Sequence, residues 1–278
     1  MPELPEVETV RRRIEPRLVG QRIEEVVFRP RTRLLRDTLP GRAVARHLRG
    51  ARVEAINRRG KYLIWELDCG HALVLHLGMT GKLMDVKPGR KEPHTHARFC
   101  FGGFDLLFTD TRTFGRIVLL PQGKVEALPG LAQMGPEPLG PKFNALYLTC
   151  AFYRRKAPVK ALLLDQRVVA GLGNIYVDEA LFRAGIHPLR PAGDLDPPEL
   201  SRLSRAIKNL LRVAIRYCGT TVMNFEWDAG REGRFQKKLR VYGRQGQPCR
   251  KCGRPLASAR TAGRTTTFCP RCQPRRPR

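Results

Sequence analysis

The sequence predicts an α+β protein of more than one domain. A β-sandwich or similar sheet pair with one helix ahead of it gives way to a helical module and then a small cysteine-bearing ribbon. Three observations carry that prediction. Apolar residues form short alternating runs up to about residue 120, then switch to a helical period after a Gly- and Pro-dense stretch, and two paired cysteine knuckles mark the end. At 278 residues the chain suits two domains and can bury cores without disulfide staples.

Taken in order, Pro5 suits an early helical position, Val7, Val10, Ile14 and Leu18 make an apolar stripe, and Gly20 suits the stop. Pro16 is expected to kink or fray the last turn. Strands are expected at 22–28, 51–57, 62–67, 72–77, 98–101, 104–108 and 117–120. Gly102-Gly103 reads as a tight hairpin, and Asp68-Cys69-Gly70 as a slightly longer connection. Residues 123–141 are rich in Gly and Pro and read as a linker. Beyond it, 158–169 and 174–184 are expected as helices joined by Ala170-Gly171-Leu172-Gly173. Asp196 then caps a longer helix with Pro197 and Glu199 in its first turn. Leu200, Leu203, Ile207, Leu210, Leu211, Ala214 and Ile215 form its apolar face, and Gly219 ends it. Residues 220–235 show no clear period and read as a loop. The domain boundaries expected are 1–125, a linker at 126–150, 151–235, 236–273 and a basic tail at 274–278.

Charge narrows the partners. Fifty-two Lys and Arg oppose 25 Asp and Glu, a net +27, and residues 231–278 carry +14 of it with Glu232 as their sole acid. Self-repulsion of that size favours a polyanionic partner, so nucleic acid is the first to consider. No apolar run approaches the ~18–20 residues of a membrane span, and the acidic start (Glu3, Glu6, Glu8) is unlike a secretory signal. The expectation is a soluble intracellular protein with no membrane partner.

Cys249-x2-Cys252-x16-Cys269-x2-Cys272 is the strongest pattern derivable from spacing alone. Each C-x-x-C turn can present two thiolates, and two such knuckles close a tetrahedral Zn²⁺ site with bonds of ~2.3 Å. Four protein ligands leave no open position, so the metal is structural. A redox dithiol needs one such pair at a helix start, not two. The scattered Cys69, Cys100, Cys150 and Cys218 read as buried free thiols.

Gly171-Leu172-Gly173-Asn174 ends a loop and opens a helix, an arrangement whose free N–H groups attract an anion. By itself the pattern is weak, since Gly-x-Gly before a helix is often just a turn. Arg264 on the expected ribbon hairpin can bridge two phosphates with its planar fork, or simply be a solvated loop arginine. Lys61, after Arg58-Arg59-Gly60, carries the same ambiguity. At the front, a small second residue permits removal of the initiator Met, leaving Pro2 with a secondary amine. Amines there titrate near ~8, so a fraction is nucleophilic at physiological pH, with Glu3 adjacent to move protons. The same residues also read as an ordinary capped helix with acids near its positive end.

The opening Pro2-Glu3-Leu4-Pro5-Glu6-Val7-Glu8-Thr9 resembles that of formamidopyrimidine-DNA glycosylases, a bacterial base-excision repair family of 8-oxoguanine DNA glycosylase/AP lyases. So do His76-Leu77-Gly78-Met79-Thr80-Gly81, Leu163-Leu164-Asp165-Gln166, Gly173-Asn174-Ile175-Tyr176, Val241-Tyr242-Gly243-Arg244 and the four-cysteine ribbon. Order and spacing match from residue 2 to about 273. The resemblance implies an N-terminal β-sandwich with one long helix, a helix–two-turn–helix module and a zinc ribbon. It also implies double-stranded DNA with an oxidised base or abasic site as partner, a monomer, and a place in the bacterial cytoplasm or nucleoid.

Residue by residue, the resemblance makes Pro2 the nucleophile and Glu3 its acid/base partner, with an iminium intermediate followed by β,δ-elimination. It places Lys61, His94, Asn174, Tyr242 and Arg264 on phosphates, with Lys61 and Arg264 in the catalytic set. Met79, Arg112 and Phe114 fill the gap left by the flipped nucleotide, Arg112 facing the orphaned cytosine. Without the family, Met79 and Phe114 read as core residues. Glu6 matches a carboxylate near the lesion, Lys160 a lysine that reads it, and 220–235 a lesion-capping loop.

Two positions depart from the family pattern. Thr113 replaces a second arginine, which should shallow the salt slope by roughly 1 unit, and Cys218 stands where Gly usually precedes Gly-Thr-Thr. An endonuclease VIII-type glycosylase for oxidised pyrimidines keeps the fold but not the Met79/Arg112/Phe114 set. A non-catalytic zinc-ribbon nucleic-acid-binding protein leaves Pro2-Glu3 unexplained.

Overall fold

The computed structural model describes residues 2–36, 38–220 and 233–275. Met1, residues 221–232 of the expected capping loop and 276–278 of the basic tail lie outside them. The chain divides into two compact units, Met1–Ala132 with Tyr217–Gln236, and Gln133–Arg216 with Lys237–Arg278.

In the first unit α1 (Leu4–Leu18) precedes β1 (Glu25–Phe28), α2 (Gly41–Leu48), β2 (Val53–Arg59), β3 (Tyr62–Leu67) and β4 (His71–His76). β5 (Lys82–Val86), β6 (Thr95–Phe101), β7 (Phe104–Thr109) and β8 (Arg116–Pro121) follow. They form two four-stranded antiparallel sheets, ordered β1-β6-β7-β5 and β2-β3-β4-β8. Burial alternates strictly along β3, as a strand facing a core on one side must. Trp65 from one sheet meets Phe99 from the other at 5.2 Å between ring centroids, which marks the sandwich core. α1 buries Val7, Val10, Ile14 and Leu18 in that core, and it runs through Pro16 to Leu18. Pro16 lies so close to the end that few backbone bonds depend on it. The Gly102-Gly103 turn pairs Phe101 with Phe104 as its spacing predicts.

Two elements were not legible. β5 is a five-residue edge strand interrupted by Asp85, and α2 is arginine-rich with only Val44 and Leu48 buried, one turn apart. Neither carries enough apolar periodicity to stand out.

The second unit contains α3 (Ala145–Phe152), α4 (Val159–Leu164), α5 (Asn174–Ala184) and α6 (Pro197–Arg216), then the ribbon strands β9 (Ala257–Thr261) and β10 (Arg264–Phe268). α3 corrects the reading of 126–150 as linker. Asn144 Oδ1 caps it by accepting the Tyr147 N–H, and Leu148 and Phe152 are buried. α6 opens as its sequence demands: Asp196 Oδ1 accepts the Glu199 N–H at 2.7 Å while Glu199 Oε2 accepts the Asp196 N–H at 3.1 Å. α4 stops at Leu164, short of the expected 169. The ribbon hairpin turns at Ala262 and Gly263, both at positive φ, which matches strand twist in two-residue loops. Of the four scattered cysteines, Cys69 and Cys150 are exposed and Cys100 and Cys218 half-buried, so the expectation of buried thiols is corrected.

Candidate nucleic-acid site and zinc centre

Pro2 and Glu3 are both buried just ahead of α1. The Glu3 N–H donates to Glu6 Oε2 at 2.9 Å. The other oxygen, Glu6 Oε1, accepts the Thr220 N–H at 2.8 Å and the Thr220 hydroxyl at 3.1 Å. Glu6 therefore ties the first turn of α1 to the root of the 221–232 segment. Gly219 stands beside it at φ +72, where a Cβ would lie 2.5 Å from Glu6 Oε1. Cys218 adopts the left-handed φ of 59 that its position demands, so it keeps the backbone geometry a glycine would have.

One turn along α1, Glu8 accepts hydrogen bonds from Arg11, Arg12 and Arg58. Burial works to raise its carboxyl, but the three guanidiniums outweigh it and bring it down to about 2. Arg58 also donates to the Gly60 carbonyl at 2.9 Å, which anchors the turn that carries Lys61. Lys61 is buried there and its charge is felt by His76. Burial first, then Lys61, Arg116 and Arg36, push the His76 imidazole down to about 4. His76 Nδ1 accepts the Gly78 N–H at 3.1 Å, and its ring centroid lies 4.7 Å from that of Tyr62, the planes tilted by 51°. His76 lay inside a quoted motif without an assigned role. Only folding brings it into this cationic cluster.

Met79 and Phe114 correct the core reading. Phe114 is 47% exposed and Met79 half-buried, and the Arg112 guanidinium sits 5.1 Å from the Phe114 ring centroid. The two loops touch through backbone: a Cβ on Gly78 would lie 2.5 Å from the Phe114 carbonyl carbon. His94 is exposed, at φ 57, and its carbonyl accepts the Asp110 N–H at the foot of the Arg112 loop.

The remaining candidate residues lie in the second unit. Asn174 opens α5, but its amide donates to the Thr265 carbonyl at 3.0 Å, and its buried Oδ1 has no partner among the described residues. The Gly171 N–H is taken by Gln166 Oε1 at 2.9 Å rather than left for an anion. Glu179 Oε1 accepts the N–H groups of Arg240, Val241 and Tyr242, which pins the loop bearing Tyr242. Arg264 is exposed at the start of β10. The Lys160 side chain is 0% exposed, and its ammonium donates to Asp178 Oδ1 at 2.6 Å and to the Thr265 carbonyl at 3.1 Å, so it braces the ribbon. Burial pushes the Asp178 carboxyl up to about 6 against the pull of Lys160.

The four cysteines fit a zinc ion. Their sulfurs all lie within 4.8 Å of one another, with Cys252 to Cys269 at 3.5 Å and Cys249 to Cys272 at 4.0 Å. Tetrahedral bonds of ~2.3 Å place thiolates about 3.8 Å apart. N–H groups of Lys251 and Cys272 point at Cys249 and Cys269 sulfurs, each 3.4 Å away, as metal knuckles require. Among the described residues these four cysteines form one structural zinc site, and an ion held there would cross-link the two knuckles.

Comparisons with known proteins agree along the chain. Residues 1–117 match the model of the formamidopyrimidine-DNA glycosylase N-terminal domain, 134–226 that of the formamidopyrimidine-DNA glycosylase H2TH domain, and 246–275 a zinc finger found in FPG and IleRS. Formamidopyrimidine-DNA glycosylase from Heliobacterium modesticaldum is 47% identical over 279 residues, covering 98% of this chain and all of that one. The crystal structure of MutM (FPG) from Thermus thermophilus superposes with a TM-score of 0.88 at 42% identity, over 99% of this chain and 100% of that one. A Lactococcus lactis Fpg in complex with DNA containing an abasic site gives 0.91 at 35% identity, over 98% and 99%. From its first helix to its zinc ribbon, this chain belongs to the formamidopyrimidine-DNA glycosylase family.

Proposed function

We propose that the secondary amine of Pro2, freed by removal of Met1, attacks C1′ of an oxidised purine nucleotide flipped out of duplex DNA. The bond to Pro2 nitrogen forms as the glycosidic bond breaks and the base leaves with a proton. The nitrogen lone pair then closes to an iminium as the C1′–O4′ bond opens, and Glu3 delivers the proton that O4′ takes up. The iminium draws electrons from C2′, whose proton departs as the 3′ phosphate is expelled. A second elimination expels the 5′ phosphate. Glycosylase and lyase activities thus come from one amine.

The observation that carries this reading is Pro2-Glu3 held at the start of α1, with the Glu3 N–H fixed by buried Glu6. Glu6 in turn braces Thr220, and it is assigned a place near the lesion. Lys61, His94, Asn174, Tyr242 and Arg264 are assigned to phosphates. Met79, Arg112 and Phe114 are assigned to the vacated hole in the duplex, a role that the exposed Phe114 ring beside a guanidinium supports. Pro2, Glu3 and Lys61 belong to the first unit, and Asn174, Tyr242 and Arg264 to the second. Relatives crystallised with Fapy-dG-containing DNA and with abasic DNA support this substrate class, and bacterial relatives support a place with DNA in the cytoplasm.

Borohydride trapping tests the chemistry. Protein lacking Met1 should form a stable adduct with a duplex carrying 8-oxoguanine opposite cytosine, and excise that base in preference to thymine glycol. The adduct should vanish in Pro2→Gly and in protein that retains Met1. An adduct of undiminished yield from Met1-bearing protein would overturn the assignment.

A further inference from the structure

Asp110 lies at the end of β7 with a side chain that is almost wholly buried. Its Oδ1 accepts the Thr80 hydroxyl at 2.5 Å and the Arg112 N–H at 3.2 Å, and its Oδ2 accepts the Gly115 N–H at 2.8 Å. Thr80 Oγ1 in turn accepts the Arg112 N–H at 3.1 Å. Behind this, the Asp110 backbone is fixed on both sides. Its N–H donates to the His94 carbonyl at 3.0 Å, and its carbonyl pairs with His96 Nε2 at 3.0 Å, while His96 Nδ1 pairs with the Thr32 hydroxyl at 3.0 Å.

One carboxylate therefore joins two loops that are distant in sequence. The loop after β4 carries Met79 next to Thr80. The loop after β7 carries Arg112 and Phe114, with Thr113 between them at a strained φ of 56. A β-branched residue holds such a backbone only where its neighbours are fixed, and Asp110 fixes both Arg112 and Gly115. Bonds to a buried acceptor are costly to leave unmade.

We propose that Asp110, acting through Thr80, is a positioning residue that holds Met79, Arg112 and Phe114 as one preformed wedge before DNA arrives. This rests on the reading that those three side chains fill the hole left by the flipped nucleotide. Asp110 touches neither DNA nor the reacting atoms. Its effect is that the wedge enters the duplex without first having to be ordered.

The test compares single-turnover excision of 8-oxoguanine from duplex DNA with cleavage of a preformed abasic site in single-stranded DNA, which needs no wedge. Thr80→Val, Thr80→Ser, Asp110→Asn and Met79→Ala are measured in full-length, Met1-processed protein, with thermal melts alongside. Thr80→Val, which removes the hydroxyl that donates to Asp110 and accepts the Arg112 N–H, is expected to slow duplex excision on the order of tenfold, while single-strand cleavage stays within about twofold. Thr80→Ser, which keeps the hydroxyl, restores the duplex rate. Asp110→Asn shows a larger duplex defect with the same split.

If Met79→Ala slows duplex excision but Thr80→Val matches the parent protein, the positioning role of Asp110 is wrong and the wedge reading survives. Equal losses on both substrates in Thr80→Val reduce the network to a fold element and also overturn the proposal. If Met79→Ala spares duplex excision, the wedge reading itself fails and the inference falls with it.

Discussion

The ammonium of Lys160 lies 2.6 Å from the carboxylate of Asp178, and neither side chain exposes more than 1% of its surface. The same ammonium reaches the Thr265 carbonyl, and Asp178 Oδ2 accepts the Thr267 N–H at 3.0 Å. This buried pair welds β10, and with it Arg264, to α4 and α5. Lys160→Met should leave an uncompensated carboxylate and destabilise the chain by roughly 3–5 kcal/mol in urea unfolding. Lys160→Met with Asp178→Leu should recover most of that loss, since a well-packed apolar pair often replaces a buried ion pair at little cost. A single variant that kept full stability while losing base excision would favour the base-reading role implied by the family resemblance.

Acid stability should report on Glu8. Its carboxyl is depressed from the ordinary 4.5 to about 2, so the folded state binds the proton less readily than the unfolded chain. The stabilisation from Glu8 is therefore complete above about pH 4.5 and is lost as pH falls toward 2. Glu8→Gln should be less stable at neutral pH and should show a flatter decline between pH 5 and 2, as followed by urea midpoints. Identical slopes in both proteins would contradict the three-arginine account.

Cys218 and Gly219 should respond in opposite directions. Cys218→Gly relieves a left-handed backbone and is expected to stabilise by about 1 kcal/mol. Gly219→Ala adds a Cβ 2.5 Å from Glu6 Oε1 at φ +72, and should cost more than that while loosening the Glu6–Thr220 contact. Thermal melts of the two variants decide it.

Zinc removal should be felt locally. Cys249 and Cys269 pack with Phe182, Val241 and Leu256, so metal and apolar core support each other. Binding contributes on the order of 10 kcal/mol to such a ribbon. Chelation or Cys249→Ser should abolish hydrogen-exchange protection in β9 and β10 and weaken DNA binding, with β3 and β4 still protected. Loss of protection across the sandwich would show instead that the two units unfold together.

Much of the molecule was legible because its signals are local. The apolar stripe of α1, the alternation along β3, the Asp196 cap of α6, the limits of α5 and the paired cysteines all depend on neighbours a few residues apart. Periodicity and capping act over that range, so the sequence by itself determined the sandwich, the helical module and the zinc ribbon. What only tertiary structure decided are contacts between residues far apart in sequence. Glu6 reaches Thr220, Thr80 meets Asp110, Lys160 is sealed against Asp178 and Thr265, and Phe114 stays exposed where its hydrophobicity suggests a core. A buried charge takes its role from the partner that folding brings to it, and no local pattern names that partner.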